Sequence, residues 1–146
     1  MPIKIEPAAA GHLQEIRRIS QESSPDPWSM ATFHLFVEAG ERLYVAVRGE
    51  QILGYVAFRP LIRSEAELLG IVVDKAEQGR GVGRFLLNYA LSICKARGAE
   101  KIFLEVRAGN TSAQALYLAH GFLQTGSRKN YYKNPIEDAI LMEKTL

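Results

Sequence analysis

Hydrophobic and polar positions alternate at two different periods along this chain, and the points where the period changes mark its elements. Residues 3–6 alternate apolar and polar, which predicts a short strand closed by Pro7. Within 11–20, Leu13, Ile16, Arg17 and Ile19 fall at near-helical spacing. Residues 22–27 are polar and broken by two prolines, a loop. Ser29 is placed to cap a helix over 30–38 that Gly40 closes. Residues 42–48 and 52–59 read as strands around a tight turn at Gly49-Glu50. Residues 65–73 read as a strand ending in the β-branched run Ile71-Val72-Val73. From Arg84 the period becomes helical, with Leu86, Leu87, Ala90, Leu91 and Cys94 on one face and Gly98 as the stop. Residues 101–106 form a strand and 111–120 a short helix. For that helix Thr111-x-x-Gln114 has capping-box spacing, and Gly121 stands at the left-handed C-terminal position. Strands near 122–129 and 139–144 flank a loop holding Asn134-Pro135. The order β-α-α-β-β-β-α-β-α-β-β predicts an α/β fold, with a mixed central sheet of about seven strands and helices on both faces. No internal repeat or linker is visible, so residues 1–146 are expected to form a single domain.

One stretch in this pattern carries chemistry. Between the strand at 65–73 and the helix after it lies Gln78-Gly79-Arg80-Gly81-Val82-Gly83, followed by Arg84. Strand, glycine-rich turn and helix together aim several backbone N–H groups at one point. Glycines let a ligand reach the main chain without a Cβ in the way. The helix start adds unpaired donors and the positive end of the macrodipole, which suits a phosphate. The plainer reading is an ordinary turn. A P-loop is excluded, because no Gly-Lys pair occurs in the chain. A dinucleotide fingerprint is excluded as well: it needs glycine where Arg84 stands, and a carboxylate at a strand end about twenty residues on.

Composition narrows the setting without choosing a function. A chain of 146 residues buries about 70% of its unfolded surface, enough for a core without staples. The net charge of +2 is too small, and the basic residues too scattered, to point to nucleic acid or a membrane. A single cysteine excludes an internal disulfide and fits a reducing, cytoplasmic compartment. Cys94 lies on the apolar face of its helix and reads as buried filler. His12 and His34 show no ligand spacing, His120 reads as a cation at a helix C-terminus, and no metal is expected.

Gln78-x-x-Gly81-x-Gly83 after a β-strand resembles the acetyl-CoA pyrophosphate loop of the GCN5-related N-acetyltransferase (GNAT) family, and the element order is similar over essentially the whole chain. The resemblance implies acetyl-CoA as co-substrate. It would be bound along the backbone of Ile71, Val72 and Val73 and by the loop residues Gln78, Gly79, Arg80, Gly81, Val82, Gly83 and Arg84. Gly70 stands where such folds carry a bulge that splays two strands for the cofactor.

Acetyl transfer to an amine requires the amine to lose a proton, the oxyanion to be stabilised and the leaving thiolate to be protonated. A free α-amine has a pKa of about 7.7–8.0, so a carboxylate acting through water helps at neutral pH. On periodicity alone Glu105 reads as part of a solvated strand face, Tyr117 as a core aromatic and Asn110 as a helix cap. Leu104-Glu105-Val106-Arg107, Asn110, Leu116-Tyr117 and Gly121-Phe122 resemble the corresponding segment of the ribosomal-protein alanine N-acetyltransferases within the family. The likeness extends to Arg128, Asn130-Tyr131-Tyr132, Glu137-Asp138-Ala139-Ile140 and Pro27-Trp28-Ser29. By that resemblance Glu105 would be the water-mediated base, Tyr117 the acid on the CoA sulfur and Asn110 a cofactor contact, while Trp28, Tyr131 and Tyr132 would line the peptide groove. The acceptor would be a protein N-terminus, most simply the N-terminal alanine of a small-subunit ribosomal protein. Gly70 and Val72 stand where many relatives carry Asn and Ala. Two other readings stay open: the same chemistry on a lysine or small-molecule amine, and a non-catalytic acyl-CoA-binding module.

Overall fold

The computed structural model describes residues 2–146. Its strands are β1 (Ile3–Pro7), β2 (Leu43–Arg48), β3 (Gln51–Pro60), β4 (Glu65–Val73), β5 (Lys101–Arg107), β6 (Leu123–Tyr132) and β7 (Glu137–Thr145). Four helices accompany them, α1 (Leu13–Ser23), α2 (Met30–Ala39), α3 (Val82–Ala96) and α4 (Thr111–Ala119). The element order is the one the hydrophobic pattern predicts, with 3₁₀ turns added at Ala10–His12 and Lys75–Glu77. The strands form one mixed sheet in the order β1-β2-β3-β4-β5-β7-β6. Two compact units divide the residues: 1–58 with 70–92, and 59–69 with 93–146. Strand β4 contributes to both, changing unit at Gly70.

In the first unit β1 pairs antiparallel with β2, and β2 with β3. Residues 43–47 and 52–58 are buried without a break, as expected of strands covered on both faces. Gly54 is required here, because an added Cβ would lie 2.5 Å from the Val72 carbonyl oxygen. Helix α1 buries Leu13, Ile16 and Ile19. The fourth buried position is Ser20, whereas Arg17 is exposed, so the apolar stripe runs one residue differently from its predicted course. Ser20 is tolerated inside because its Oγ accepts the Trp28 N–H at 3.0 Å. Ser29 caps α2 as expected, its Oγ accepting from Thr32 N at 3.2 Å. Leu86, Leu87, Ala90, Leu91 and Cys94 are all buried along α3.

In the second unit β4 runs parallel to β5 over Glu65–Leu68, β5 runs antiparallel to β7 over its whole length, and β6 pairs with β7. Ile102, Leu104 and Val106 of β5 are buried, which leaves Phe103, Glu105 and Arg107 on the other face. Of the two caps the sequence offers α4, Asn110 is the one used, and the Thr111-x-x-Gln114 capping box does not form. Asn110 is the N-cap, its Oδ1 accepting from Ala113 N at 3.3 Å. The Gln114 amide is spent on the carbonyls of Arg107 and Ala108, at 2.9 Å each, and Thr111 is already helical. Strand β6 runs past 129 to Tyr132 because an irregularity between Arg128 and Tyr132 lets the pairing with β7 resume. That interruption hides the strand from a period-2 reading.

Candidate active site

Residues 74–84 of the first unit are built as a rigid approach to an open loop. Asp74 N donates to Leu53 O at 2.8 Å, and Lys75 N donates to Ser23 Oγ at 3.1 Å. The Asp74 carboxylate accepts from Ala76 N and from Arg18 Nη2 at 2.9 Å, and Gln78 Nε2 donates back to Val73 O at 3.1 Å. The glycines then take conformations that L side chains rarely adopt, with φ of 78° at Gly79 and 84° at Gly81. An added Cβ would meet nothing within 4 Å at Gly79, and at Gly81 only the Arg84 guanidinium, 3.6 Å away. Crowding by the protein therefore does not explain these glycines. The first helical bond of this end runs from Phe85 N to Gly81 O, so the N–H groups of 81–84 have no partner within the helix. Free donors at a helix start, flanked by the exposed Arg80 and Arg84, make an anion cradle that fits a pyrophosphate. Ile71 and Val73 are half-buried and Val72 is buried. Gly70 has open space where a Cβ would stand and no positive φ, so neither crowding nor conformation demands glycine there.

Glu105, Tyr117, Tyr131 and Tyr132 lie in the second unit, on β5, α4 and β6. Glu105 is half-buried, with its side chain 25% exposed. Its Oε2 is buried and accepts no hydrogen bond among the described residues, while Arg128 Nε stands 3.9 Å from it. Tyr131 is exposed, and hydrogen bonding to Glu105 holds its phenol above the ordinary range. The Arg128 guanidinium also lies over the Tyr131 ring, 5.8 Å from its centroid, and Tyr131 meets Tyr132 edge to face at 5.1 Å. Arg128, Tyr131 and Glu105 thus form one cluster.

Arg107 is the residue that the sequence pattern misses. Its guanidinium is buried and donates to Lys133 O and Pro135 O, both at 3.0 Å, and to Glu137 Oε1 at 3.2 Å. It also stacks over Tyr132 at 4.5 Å. This hub ties the end of β5 to the loop that follows the tyrosine pair. A shared face with Glu105 and a place in the run Leu104-Glu105-Val106-Arg107 do not show this role in the sequence, because its partners lie 26–30 residues further on.

Tyr117 is 6% exposed and packs on Phe122 with ring centroids 5.6 Å apart. Burial alone pushes its phenol up to about 12. Asn110 holds the helix cap described above, which leaves its amide nitrogen for other partners. Trp28 belongs to the first unit and stacks on Phe33 and Phe36 at 5.3 and 4.8 Å, anchoring the helix it precedes. His120 Nδ1 lies 2.8 Å from Leu116 O at the end of α4. The Cys94 thiol is buried and pushed up to about 11, which keeps it protonated and unreactive near neutral pH. Among the described residues no three His, Cys, Asp or Glu side chains are placed to hold a metal.

Residues 13–122 match the acetyltransferase (GNAT) family, and the chain belongs to it. The ribosomal protein bS18-alanine N-acetyltransferase of Salmonella typhimurium is 38% identical over 86% of this chain and 85% of its own length. The crystal structure of the ribosomal-protein-S18-alanine N-acetyltransferase from Escherichia coli superposes with a TM-score of 0.87 at 32% identity, covering 99% of this chain and 94% of that one. A GNAT acetyltransferase from Elizabethkingia anophelis, solved with acetyl-CoA bound, superposes with a TM-score of 0.79 at 26% identity, covering 99% of this chain and 98% of that one.

Proposed function

We propose that this chain transfers the acetyl group of acetyl-CoA to the α-amine of a protein N-terminus, and that the acceptor is the N-terminal alanine of a small-subunit ribosomal protein. The observation that carries the reading is the buried Oε2 of Glu105, which lies in an ion pair with Arg128 but accepts no hydrogen bond among the described residues. A buried carboxylate oxygen with no protein donor takes its hydrogen bonds from water or from a ligand. A water and the substrate ammonium would supply them, and that water is the route by which Glu105 takes the amine's proton. Acetyl-CoA supplies the acyl group as a thioester. Ile71, Val72 and Val73 would hold its arm through their backbone, Gln78 and residues 79–84 its pyrophosphate, and Asn110 would add a contact through its amide nitrogen. Tyr117, neutral at working pH, would donate a hydrogen bond and a share of its proton to the departing sulfur. Tyr131 and Tyr132 would line the acceptor groove. Trp28, half-buried beside α2, would add an aromatic surface for the acceptor.

Support for the acceptor comes from the relatives, which are named for acting on ribosomal protein bS18. Residues 1–146 would work as one cytoplasmic domain whose partners are protein N-termini, not nucleic acid or a membrane. Incubating the protein with acetyl-CoA and peptides bearing free N-termini, internal lysines or neither tests the reading, with products located by mass spectrometry. Acetylation at the α-amine of alanine-first peptides is the expected result. Modification confined to lysine or to small amines would replace the acceptor, and acetyl-CoA binding without any transfer would leave a binding module.

A further inference from the structure

Glu77 places a negative charge where an anion-binding loop should avoid one. It immediately precedes Gln78, is 5% exposed, and receives both arms of one guanidinium: Arg48 Nη1 to Oε1 at 3.0 Å and Nη2 to Oε2 at 3.2 Å. Arg80 Nη1 stands 3.8 Å from the same Oε1, so the loop's own cation leans back on this carboxylate. Arg48 ends β2 and also holds Gln51 Oε1 at 2.9 Å, which ties it to the start of β3. Burying a carboxylate is costly even when it is paired, and this one also opposes the phosphates it faces. Geometry offers the compensation. The segment from Asp74 is fastened to β3 through Leu53, to α1 through Arg18 and Ser23, and to its own strand through Val73. The Glu77 fork is the last buried fixed point before the glycines begin, and two parallel N–H···O bonds fix orientation as well as distance.

We infer that Arg48 and Glu77 are positioning residues for the cofactor loop. Their ion pair fixes the backbone from which the helix-start N–H groups of 81–84 project, and this orientation contributes more to anion binding than the carboxylate's charge removes. The inference rests on the cofactor reading proposed above.

Field and geometry predict different signs. If charge alone mattered, Glu77→Gln would tighten binding of a polyphosphate ligand, Arg48→Gln would weaken it, and Arg48→Lys would leave it unchanged. If the fork positions the loop, all three weaken it. Calorimetric titration with coenzyme A reads the difference on wild type, these variants and the double Glu77→Gln/Arg48→Gln. We expect the Kd to rise about tenfold for each single variant, with the double no weaker than its worse parent, as for two residues acting as one unit. In turnover the loss appears in the KM for acetyl-CoA rather than in kcat, a split that a general loss of stability does not produce. A folded Glu77→Gln that binds coenzyme A as tightly as wild type, or tighter, overturns the inference. Should Glu77→Gln fail to fold, Arg48→Lys decides alone, and wild-type affinity in that variant overturns it. If wild type itself fails to bind coenzyme A, the cofactor reading falls first and takes this inference with it.

Discussion

Glu105 and Tyr117 are both named for proton transfer, but their settings differ. Glu105 faces a cation and a phenol, Arg128 and Tyr131, and keeps one oxygen without a hydrogen bond. Tyr117 has no charged neighbour contributing to its shift, only burial. Replacing Glu105 by Gln keeps its volume but removes the proton acceptor. We expect turnover on an alanine-first peptide to fall roughly 10²-fold or more at pH 7 while acetyl-CoA affinity holds. Part of that rate should return as pH rises through the amine's own pKa of about 7.7–8.0, because free amine then forms without a base. Rate–pH profiles of equal height for the two proteins would return Glu105 to a solvated strand face. A phenol near 12 is a weaker acid than an alkyl thiol, so it does not hand its proton outright to the departing thiolate. Tyr117 therefore helps by hydrogen-bonding the charge that grows on sulfur. For Tyr117→Phe the expectation is a loss in kcat of roughly 10²-fold with coenzyme A affinity unchanged. Wild-type turnover in that variant would leave Tyr117 a core aromatic.

At the scale of the element, the loop between β4 and α3 can be separated from the helix it starts. Gly81 and Gly98 flank α3 and both have positive φ, 84° and 94°, with little or nothing near an added Cβ. Alanine at either should cost a similar 1–3 kcal/mol, about the usual strain of a non-glycine residue there. Only Gly81→Ala should also weaken coenzyme A binding, since only that Cβ enters the proposed cradle. Thermal melts and calorimetric titration of both variants check this, and equal affinities would remove the loop from the cofactor site. The same loop shows why some of the site is legible in the sequence. Gln78, the glycines and the apolar face of α3 are local signals, each set by spacing of a few residues, and the structure places them where that spacing predicts. Asp74 and Glu77 carry no local signal in the sequence, because their partners Arg18 and Arg48 lie 56 and 29 residues away. Arg107 escapes for the same reason. The sequence offers α4 two caps, Asn110 and Thr111, and only the fold, which directs Gln114 to the carbonyls of Arg107 and Ala108, decides for Asn110. The contacts of the Trp28 ring with Phe33 and Phe36 of α2 are local in sequence.

For the whole molecule, alkaline pH tests whether the two compact units unfold together. Each buries a neutral phenol: Tyr55 in the first and Tyr117 in the second, both pushed up to about 12. Burial dominates at Tyr55 even though its hydrogen bond with Ser20 acts the other way. The unfolded chain releases each of these protons near pH 10, and the folded one holds them to about 12. Their contribution to stability is therefore complete below about pH 10 and is lost as pH rises through 12. Each amounts to roughly 2–3 kcal/mol across that window, at a limiting slope of about 1.4 kcal/mol per pH unit. Arginine and lysine pairs also weaken in this range, so the informative quantity is the difference between wild type and a variant that lacks one phenol. Tyr117→Phe should flatten the fall of the urea midpoint between pH 10 and 12 by about one proton's worth, and Tyr55→Phe should do the same. If residues 1–146 form one cooperative domain, both variants flatten a single transition, read identically by tyrosine absorbance and by far-ultraviolet circular dichroism. Two separated transitions, each altered by only one of the variants, would show that the units unfold independently. Parallel midpoint curves for wild type and Tyr117→Phe would show that this phenol is not held neutral by burial, and that would also remove the reason for treating it as a protonated donor at working pH.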